Sequence, residues 1–159
     1  MQIDNQKTTI NIWLWKMGLA IFFAGMDVLS LTTTWFNKPF LGLDRKDLIF
    51  ITAGLYLLII IILFLLNLNY IYFNDDGDQI VVRYYPMRAF ARKKKAIQIP
   101  KISFAGFDIK KSLFGLSKTL VLQQKTKKGT ATYPGIGITA LNSKEIALIA
   151  SELKRFVRT

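Results

Sequence analysis

The chain has no cysteine and no histidine among its 159 residues. The lack of cysteine excludes a disulfide scaffold and any thiolate metal site. The lack of histidine removes the commonest general base and the commonest metal ligand. Acidic residues are also scarce, at ten Asp and Glu in total, and no pair of carboxylates or nucleophile with its base stands at a usable spacing. We therefore expect neither an enzyme nor a protein with a metal or another cofactor.

Positive charge is abundant by contrast, since 22 Lys and Arg give a net charge of +12. The stretch from residue 83 to residue 128 holds thirteen of them and a single acidic residue, Asp108. A block of this sign favours anionic phosphates, which occur on lipids and on nucleic acids. A solvated basic face that only helps to fix membrane topology is the alternative interpretation.

Apolar residues make up 52% of the sequence and are concentrated before Leu66. The run Leu48–Leu66 contains nineteen residues without a charge. As a helix, a run of this length crosses about 30 Å of hydrocarbon. A core helix of a soluble domain seldom stays apolar on every side for so long. We therefore predict a transmembrane helix at residues 48–67.

A second apolar stretch, residues 10–36, is predicted to be the first of two transmembrane helices. Its aromatic belts, at Trp15 and at Trp35, lie about 30 Å apart on a helix, as the two membrane interfaces require. A signal peptide is the alternative, but the apolar core is too long for one and no cleavage motif follows it. The predicted membrane-interface residues are Trp13, Trp15, Lys16 and Trp35.

One acidic residue of this first helix, Asp27, is expected to lie well within the hydrocarbon core of the bilayer. An ionised carboxylate is costly there, so we expect it to be protonated or hydrogen-bonded. Thr52 and Tyr56 are the polar side chains in the apolar part of the second helix, and the register of a hairpin predicts an Asp27–Tyr56 hydrogen bond. Such a bond either holds the helices together or belongs to a proton- or ion-handling site.

The segments around these helices are short. Residues 1–9 are predicted to be a polar tail, and residues 37–47 a short loop between the helices. Two crossings place both termini on one side of the membrane. The excess of Lys and Arg outside the loop favours the cytoplasm for both.

From residue 68 onward the apolar residues alternate, which predicts strands that are buried on one face. The Asp76-Gly77 pair between two alternating segments indicates a hairpin. Further strands are predicted at Ala96–Ile99, Ile102–Lys110 with a bulge at Ala105-Gly106, Thr119–Gln124 and Thr130–Tyr133.

The last predicted element is an amphipathic helix from Ser143 to about Val157. Asn142 and Glu145 are spaced as a variant of the capping box at its start. Apolar residues at helical spacing predict a stripe that faces the core, formed by Ile146, Ile149, Leu153 and Phe156.

Three stretches carry a resemblance to a known kind of protein: YIYFNDDGDQIVVRYYP, KKAIQIPKISFAGFDIKKSLFGLSKTLVL and YPGIGITALNSKEIALIASELKRF. Together with the two N-terminal helices, they resemble small bacterial membrane proteins that carry bacterial PH-type domains. The resemblance covers Asn69–Phe156 and implies a PH-like antiparallel β-barrel or sandwich, closed by a C-terminal amphipathic helix, at residues 68–159. It also implies the inner membrane of a bacterium, a cytoplasmic domain and a role in binding or assembly.

The acidic turn at residues 75–78 departs from PH domains that bind phosphoinositides, which carry basic residues there. The candidate contact with anionic lipid headgroups is instead a basic loop formed by Arg88, Arg92, Lys93, Lys94 and Lys95. Each such cation adds about 1 kcal/mol of attraction near an anionic bilayer.

Three functions follow as hypotheses. The first is a membrane-anchored module that scaffolds or recruits a protein partner, as a homo-oligomer or as a subunit of a membrane complex. The second is an anionic-lipid surface sensor that uses the basic loop, and the third is a proton- or ion-handling subunit centred on Asp27. No nucleic-acid partner is expected, because the alternating pattern buries most aromatic side chains and a membrane tether disfavours one.

Overall fold

Two long helices separate two parts of one β-rich unit. The helical unit comprises Asn11–Leu63, and the β unit comprises Met1–Ile10 together with Phe64–Thr159. The helices are therefore an insertion in the sequence of the β unit. The computed structural model describes residues 1–32, 44–88 and 94–157.

The two helices are α1, Gln6–Thr32, and α2, Arg45–Leu65. Both are long and apolar enough to cross a membrane, which indicates membrane association as the sequence predicts. α1 begins before the predicted residue 10, because the Gln6 amide donates to Oδ1 of Asp4 at 2.8 Å and satisfies one of the free amides of the first turn. The predicted interface residue Trp35 lies outside the described residues.

The first sheet has four antiparallel strands in the order β1-β2-β3-β4. Their bounds are Gln2–Asp4 for β1, Asn69–Asn74 for β2, Gln79–Pro86 for β3 and Lys95–Pro100 for β4. The predicted hairpin at Asp76-Gly77 is confirmed between β2 and β3. Gly77 has a φ of 73°, a backbone conformation that glycine adopts at little cost.

Strand β1 differs from the polar tail that the sequence predicts for residues 1–9. Its residues Gln2, Ile3 and Asp4 pair with the second half of β2. Ile3 is only 8% exposed and belongs to the core. A three-residue strand with one apolar side chain has too little alternation to be recognised in a sequence. Residues 2–4 are therefore part of the sheet.

The second sheet is built around β6, Ser117–Thr126. β5, Phe104–Ser112, pairs with one edge of β6, while β7, Gly129–Thr132, and β8, Ile136–Gly137, pair with the other. The register of β5 shifts between Phe104 and Gly106, which confirms the predicted bulge.

Helix α3, Ser143–Val157, has the predicted bounds. Its capping box is confirmed, because the Glu145 amide donates to Oδ1 of Asn142 and the Asn142 amide donates to Oε2 of Glu145, both at 2.8 Å. The predicted apolar stripe faces the core, with Ile149 and Leu153 fully buried.

Both sheets and α3 share one apolar core. Its largest fully buried apolar side chains are Phe73, Ile71, Ile80, Ile99, Leu120, Leu122, Ile136, Ile138 and Leu153. No strand pairing between the two sheets occurs among the described residues. The β unit is thus an α+β arrangement of two antiparallel sheets and a C-terminal helix, and the sheets do not close into the predicted barrel.

Candidate functional site

Both connections between the β unit and its inserted helices meet at one end of β2. Asn5, just before α1, is 1% exposed; its Nδ2 donates to the Asn69 carbonyl at 3.2 Å, and its Oδ1 accepts from the Ile71 amide at 2.8 Å. Asn69, the first residue of β2, is also buried, and its Nδ2 donates to the Gly137 carbonyl at 2.9 Å. We call this region the connection end. Its buried amides are satisfied, so it fixes the start of α1 beside the start of β2.

Gly137 lets the chain between α2 and β2 pass close to the second sheet. A Cβ atom at this position would contact the carbonyl oxygen of Asn67 and would lie 2.6 Å from Nδ2 of Asn69. Gly137 also pairs with Thr119 of β6. The second sheet therefore contacts the connection end at Gly137, where a larger residue would not fit.

Arg88, a predicted lipid contact, lies at the connection end. Its guanidinium carbon stands 4.1 Å from the centre of the Phe64 ring, and its Nη2 donates to Oδ1 of Asn67 at 3.3 Å. The neighbouring Met87 amide donates to the Leu68 carbonyl at 3.0 Å. The exposed cation is thus held against the last turn of α2 by a cation–π contact.

The other predicted lipid contacts follow Arg88 along the chain. Lys94 and Lys95 are exposed, and Lys95 pairs with Tyr84 of β3, two residues from the end of that strand. The end of β3 itself, Pro86, pairs with Asn69. Lys95 is therefore close to the connection end, while Arg92 and Lys93 lie outside the described residues.

The opposite end of β2 is acidic. The Met1 amine contacts the buried Asp75 carboxylate and lies 2.7 Å from Oδ1 of Asp76. Hydrogen bonds from the amine, first to Asp75 and then to Asp76, raise the pKa of the amine above its usual value. The far turn therefore holds two carboxylates paired with one amine, whereas Arg88 and Lys95 lie near the connection end.

Tyr70 lies on β2 near the connection end, and its side chain is half-buried. Its ring stacks on that of Tyr85 in β3, with the centres 4.6 Å apart. Burial raises the pKa of the Tyr70 phenol to about 12, and the Asp4 carboxylate adds to the shift. The phenol is therefore neutral at physiological pH.

Within the helical unit, Asp27 is paired with Thr52. The Thr52 hydroxyl stands 2.5 Å from Oδ1 of Asp27, and both side chains are half-buried. Tyr56 instead packs its ring 5.4 Å from that of Phe23, centre to centre. The predicted Asp27–Tyr56 bond is therefore wrong about the partner, because Thr52 stands one turn earlier on the same face of α2.

The aromatic residues at the start of α1 present their side chains outward. Trp13 is 58% and Trp15 69% exposed, as lipid-facing side chains at a membrane interface would be. Lys16 is half-buried.

Sequence reasoning missed two residues that build the connection end. Asn5 precedes a helix, and this position favours asparagine for capping as well, so its long-range role leaves no separate signal. Gly137 falls in the stretch Pro134-Gly135-Ile136-Gly137, which reads only as a turn.

In residues 1–32, 44–88 and 94–157, no group of three or more acidic side chains is placed to hold a metal ion. No protein-family model, no curated protein and no solved structure matches this chain.

Proposed function

We propose that the protein is a non-enzymatic, membrane-anchored module whose β unit works at the surface of an anionic membrane. The observation that carries this proposal is the pairing of β1 with β2. Because of that pairing, the start of α1 and the end of α2 both belong to the connection end. The transmembrane hairpin is attached to the β unit at both of its ends. The connection end is therefore the part of the β unit that is nearest to the lipid along the chain.

The order of elements supports a PH-like architecture for the β unit. Two antiparallel sheets followed by a C-terminal amphipathic helix are the features on which the resemblance to bacterial PH-type membrane proteins rests. On this proposal the PH-like unit consists of β1 together with residues 68–159, and the helical hairpin is inserted after its first strand.

On this proposal the protein lies in the inner membrane of a bacterium, with its β unit in the cytoplasm. Since β1 and β2 pair in one sheet, residues 2–4 and the β unit must lie on the same side of the membrane. The excess of Lys and Arg in the β unit favours the cytoplasm for that side by the positive-inside rule.

Anionic headgroups are the ligands that the connection end fits best. Arg88, Lys94 and Lys95 are exposed there, and the acidic turn lies at the other end of β2. Each cation near an anionic surface adds about 1 kcal/mol, and the attraction is screened by salt. These side chains bind the phosphate groups of lipids and give no preference for one lipid species.

The test uses the full chain in lipid nanodiscs. Because the chain has no cysteine, an Ala96→Cys variant carries one donor dye beside Lys95, and acceptor dyes are placed on lipid headgroups. We expect stronger energy transfer in discs that contain phosphatidylglycerol than in phosphatidylcholine discs. The difference should vanish in about 1 M salt, where the Debye length is about 3 Å.

A pair of charge reversals identifies the cations that are responsible. Lys94→Glu with Lys95→Glu should abolish the preference for anionic discs. Lys127→Glu with Lys128→Glu makes the same change in charge at the exposed β6–β7 turn and should leave the preference intact. Equal transfer in neutral and anionic discs would refute the proposal.

Recruitment of a protein partner is a second candidate, and strand β7 favours it. All four residues of β7, Gly129–Thr132, are exposed, and β7 pairs with β6 alone among the described strands. Its free edge has the unpaired backbone groups that accept an added strand of another protein or of a second copy. A photoreactive amino acid at Thr130 should give one discrete adduct in the native membrane. The same group at Lys144, on α3, should not.

A further inference from the structure

The tip of the β5–β6 hairpin exposes a cluster of large apolar side chains. Leu113, Phe114 and Leu116 are 39%, 107% and 64% exposed. They lie in a four-residue connection between Ser112 and Ser117, which form the last pair of the two strands. We call residues 113–116 the apolar tip. Side chains of this size are usually buried in a water-soluble domain, so their exposure in one short segment calls for a partner.

The backbone of the apolar tip is held in an unfavourable conformation. Leu113 and Phe114 both have left-handed φ angles, 52° and 55°, which bulky residues rarely adopt. The Gly115 amide donates to the Ser112 carbonyl and the Leu116 amide to the Leu113 carbonyl, each at 3.1 Å. Such local strain is typical of functional loops. Here it turns the Phe114 ring fully away from the β unit.

Lysine residues surround the base of the tip. Lys110 and Lys111 are exposed at the end of β5, and Lys111 is paired with Lys118 at the start of β6. Three cations thus stand behind three apolar side chains. This is the arrangement of segments that lie in a membrane interface, where apolar groups enter the acyl boundary and Lys side chains meet anionic headgroups.

The tip also lies close to the connection end of the same β unit. Thr119 of β6 pairs with Gly137, which abuts Asn67 and Asn69. The Ile138 amide donates to the Lys118 carbonyl at 2.8 Å, which holds this part of β6 to the same region. From Thr119 to Leu116, the nearest residue of the tip, the strand extends about 10 Å. The tip is therefore within reach of the surface from which α2 emerges.

We propose that the apolar tip inserts into the interface of the membrane in which α1 and α2 are anchored. This inference rests on the proposed function, because it needs the β unit at the lipid surface. Three residues separate the end of α2 from the start of β2, so the tip is held at a high effective concentration next to the bilayer. The surrounding cations favour an anionic bilayer over an apolar protein surface.

The depth of a single spin label tests the insertion. In the full chain, Phe114→Cys carries the label at the tip, and Thr130→Cys carries it on the exposed strand β7 as the control. One copy is reconstituted per nanodisc, in discs with and without phosphatidylglycerol. Collisions are measured with oxygen, which enriches in lipid, and with a polar nickel complex, which is excluded from it.

We expect the label at residue 114 to collide with the nickel complex about tenfold less often than the label at residue 130, because the complex does not enter apolar surroundings. Its collisions with oxygen should increase. Equal access of both labels to the nickel complex would overturn the inference. A label at residue 114 that is shielded from both reagents would also overturn it, since that result indicates contact with protein, as in a second copy bound from another disc.

Failure of this inference can be told from failure of the proposed function. The energy transfer from residue 96 reports the cations at the connection end and does not depend on the tip. A normal preference for anionic discs with a water-exposed residue 114 would remove the insertion alone.

Discussion

The helical unit and the β unit arrange polar and apolar side chains in opposite ways. In the helical unit, Trp15 and Phe50 are 69% and 75% exposed, whereas Asp27 and Thr52 are half-buried and bonded to each other. In the β unit, Phe73 is 0% exposed, most charged side chains lie at the surface, and the buried Asp75 is paired with the Met1 amine. Lipid tails do not penalise exposed apolar groups, whereas water does.

This contrast helps to interpret the exposed side chains of the apolar tip. The core of the β unit is apolar, as water requires, whereas residues 113–116 expose three large apolar side chains in one short segment, as lipid-facing segments do. A segment that differs from its own unit and agrees with the membrane-spanning one is best explained by the same surroundings.

Truncating one phenylalanine in each unit should have the largest effect. Phe73→Ala removes a fully buried ring from the β core, and we expect it to lower the free energy of unfolding by about 4 kcal/mol. Phe50→Ala removes a ring that is 75% exposed, and its effect should stay within about 0.5 kcal/mol. Amide hydrogen exchange in nanodiscs measures both. Similar losses in the two variants would contradict the assignment of different surroundings.

Removing a buried polar group from the β unit should lower the free energy of unfolding by a smaller but measurable amount. Asn5→Ala leaves the Ile71 amide and the Asn69 carbonyl without their side-chain partner. Leaving such groups unsatisfied costs about 2 kcal/mol. Hydrogen exchange of β2 reports the loss. Gln2→Ala, at an exposed position on β1, is the control. Unchanged protection of β2 in Asn5→Ala would show that the connection end is not held by this residue.

The local features of the β unit were predictable from sequence, because a few neighbouring residues determine them. The Asp76-Gly77 turn, the bulge at Ala105-Gly106 and the capping box of Asn142 and Glu145 are all of this kind. Each depends on backbone preferences or on contacts within four residues, and these leave a recognisable pattern.

The features that depend on distant residues were not predictable. β1 joins β2 across more than sixty residues, and Asn5 and Gly137 are fixed by partners in other elements. The choice of Thr52 over Tyr56 as the partner of Asp27 depends on how far α2 is shifted along its axis, and a shift of one helical turn does not alter the apolar pattern. The apolar tip leaves only a short LFGL run that also reads as part of a strand.

The polar pair of the helical unit should contribute little to stability, in contrast to Asn5. Thr52 has alternatives, because its hydroxyl lies 3.0 Å from the carbonyls of both Leu48 and Ile49. We therefore expect a double-mutant cycle of Asp27→Asn and Thr52→Val to give a coupling of about 0.6 kcal/mol, the usual size inside membranes. Unfolding of the full chain in mixed micelles measures it. A coupling above about 2 kcal/mol would mean that this pair holds the hairpin as strongly as buried groups hold the β unit.

At physiological pH the smallest expected effect comes from Tyr70 of the β unit, whose pH dependence appears only in alkaline solution. The pKa of Tyr70 is raised to about 12 in the folded protein, mainly by burial. In the unfolded chain this phenol loses its proton near pH 10. Its contribution to stability is therefore complete below pH 10 and is lost as the pH rises towards 12. Hydrogen exchange of β2 should show this loss in the wild type and a weaker one in Tyr70→Phe. Protection that falls equally in both proteins would mean that the Tyr70 hydroxyl is as well solvated in the sheet as in the unfolded chain.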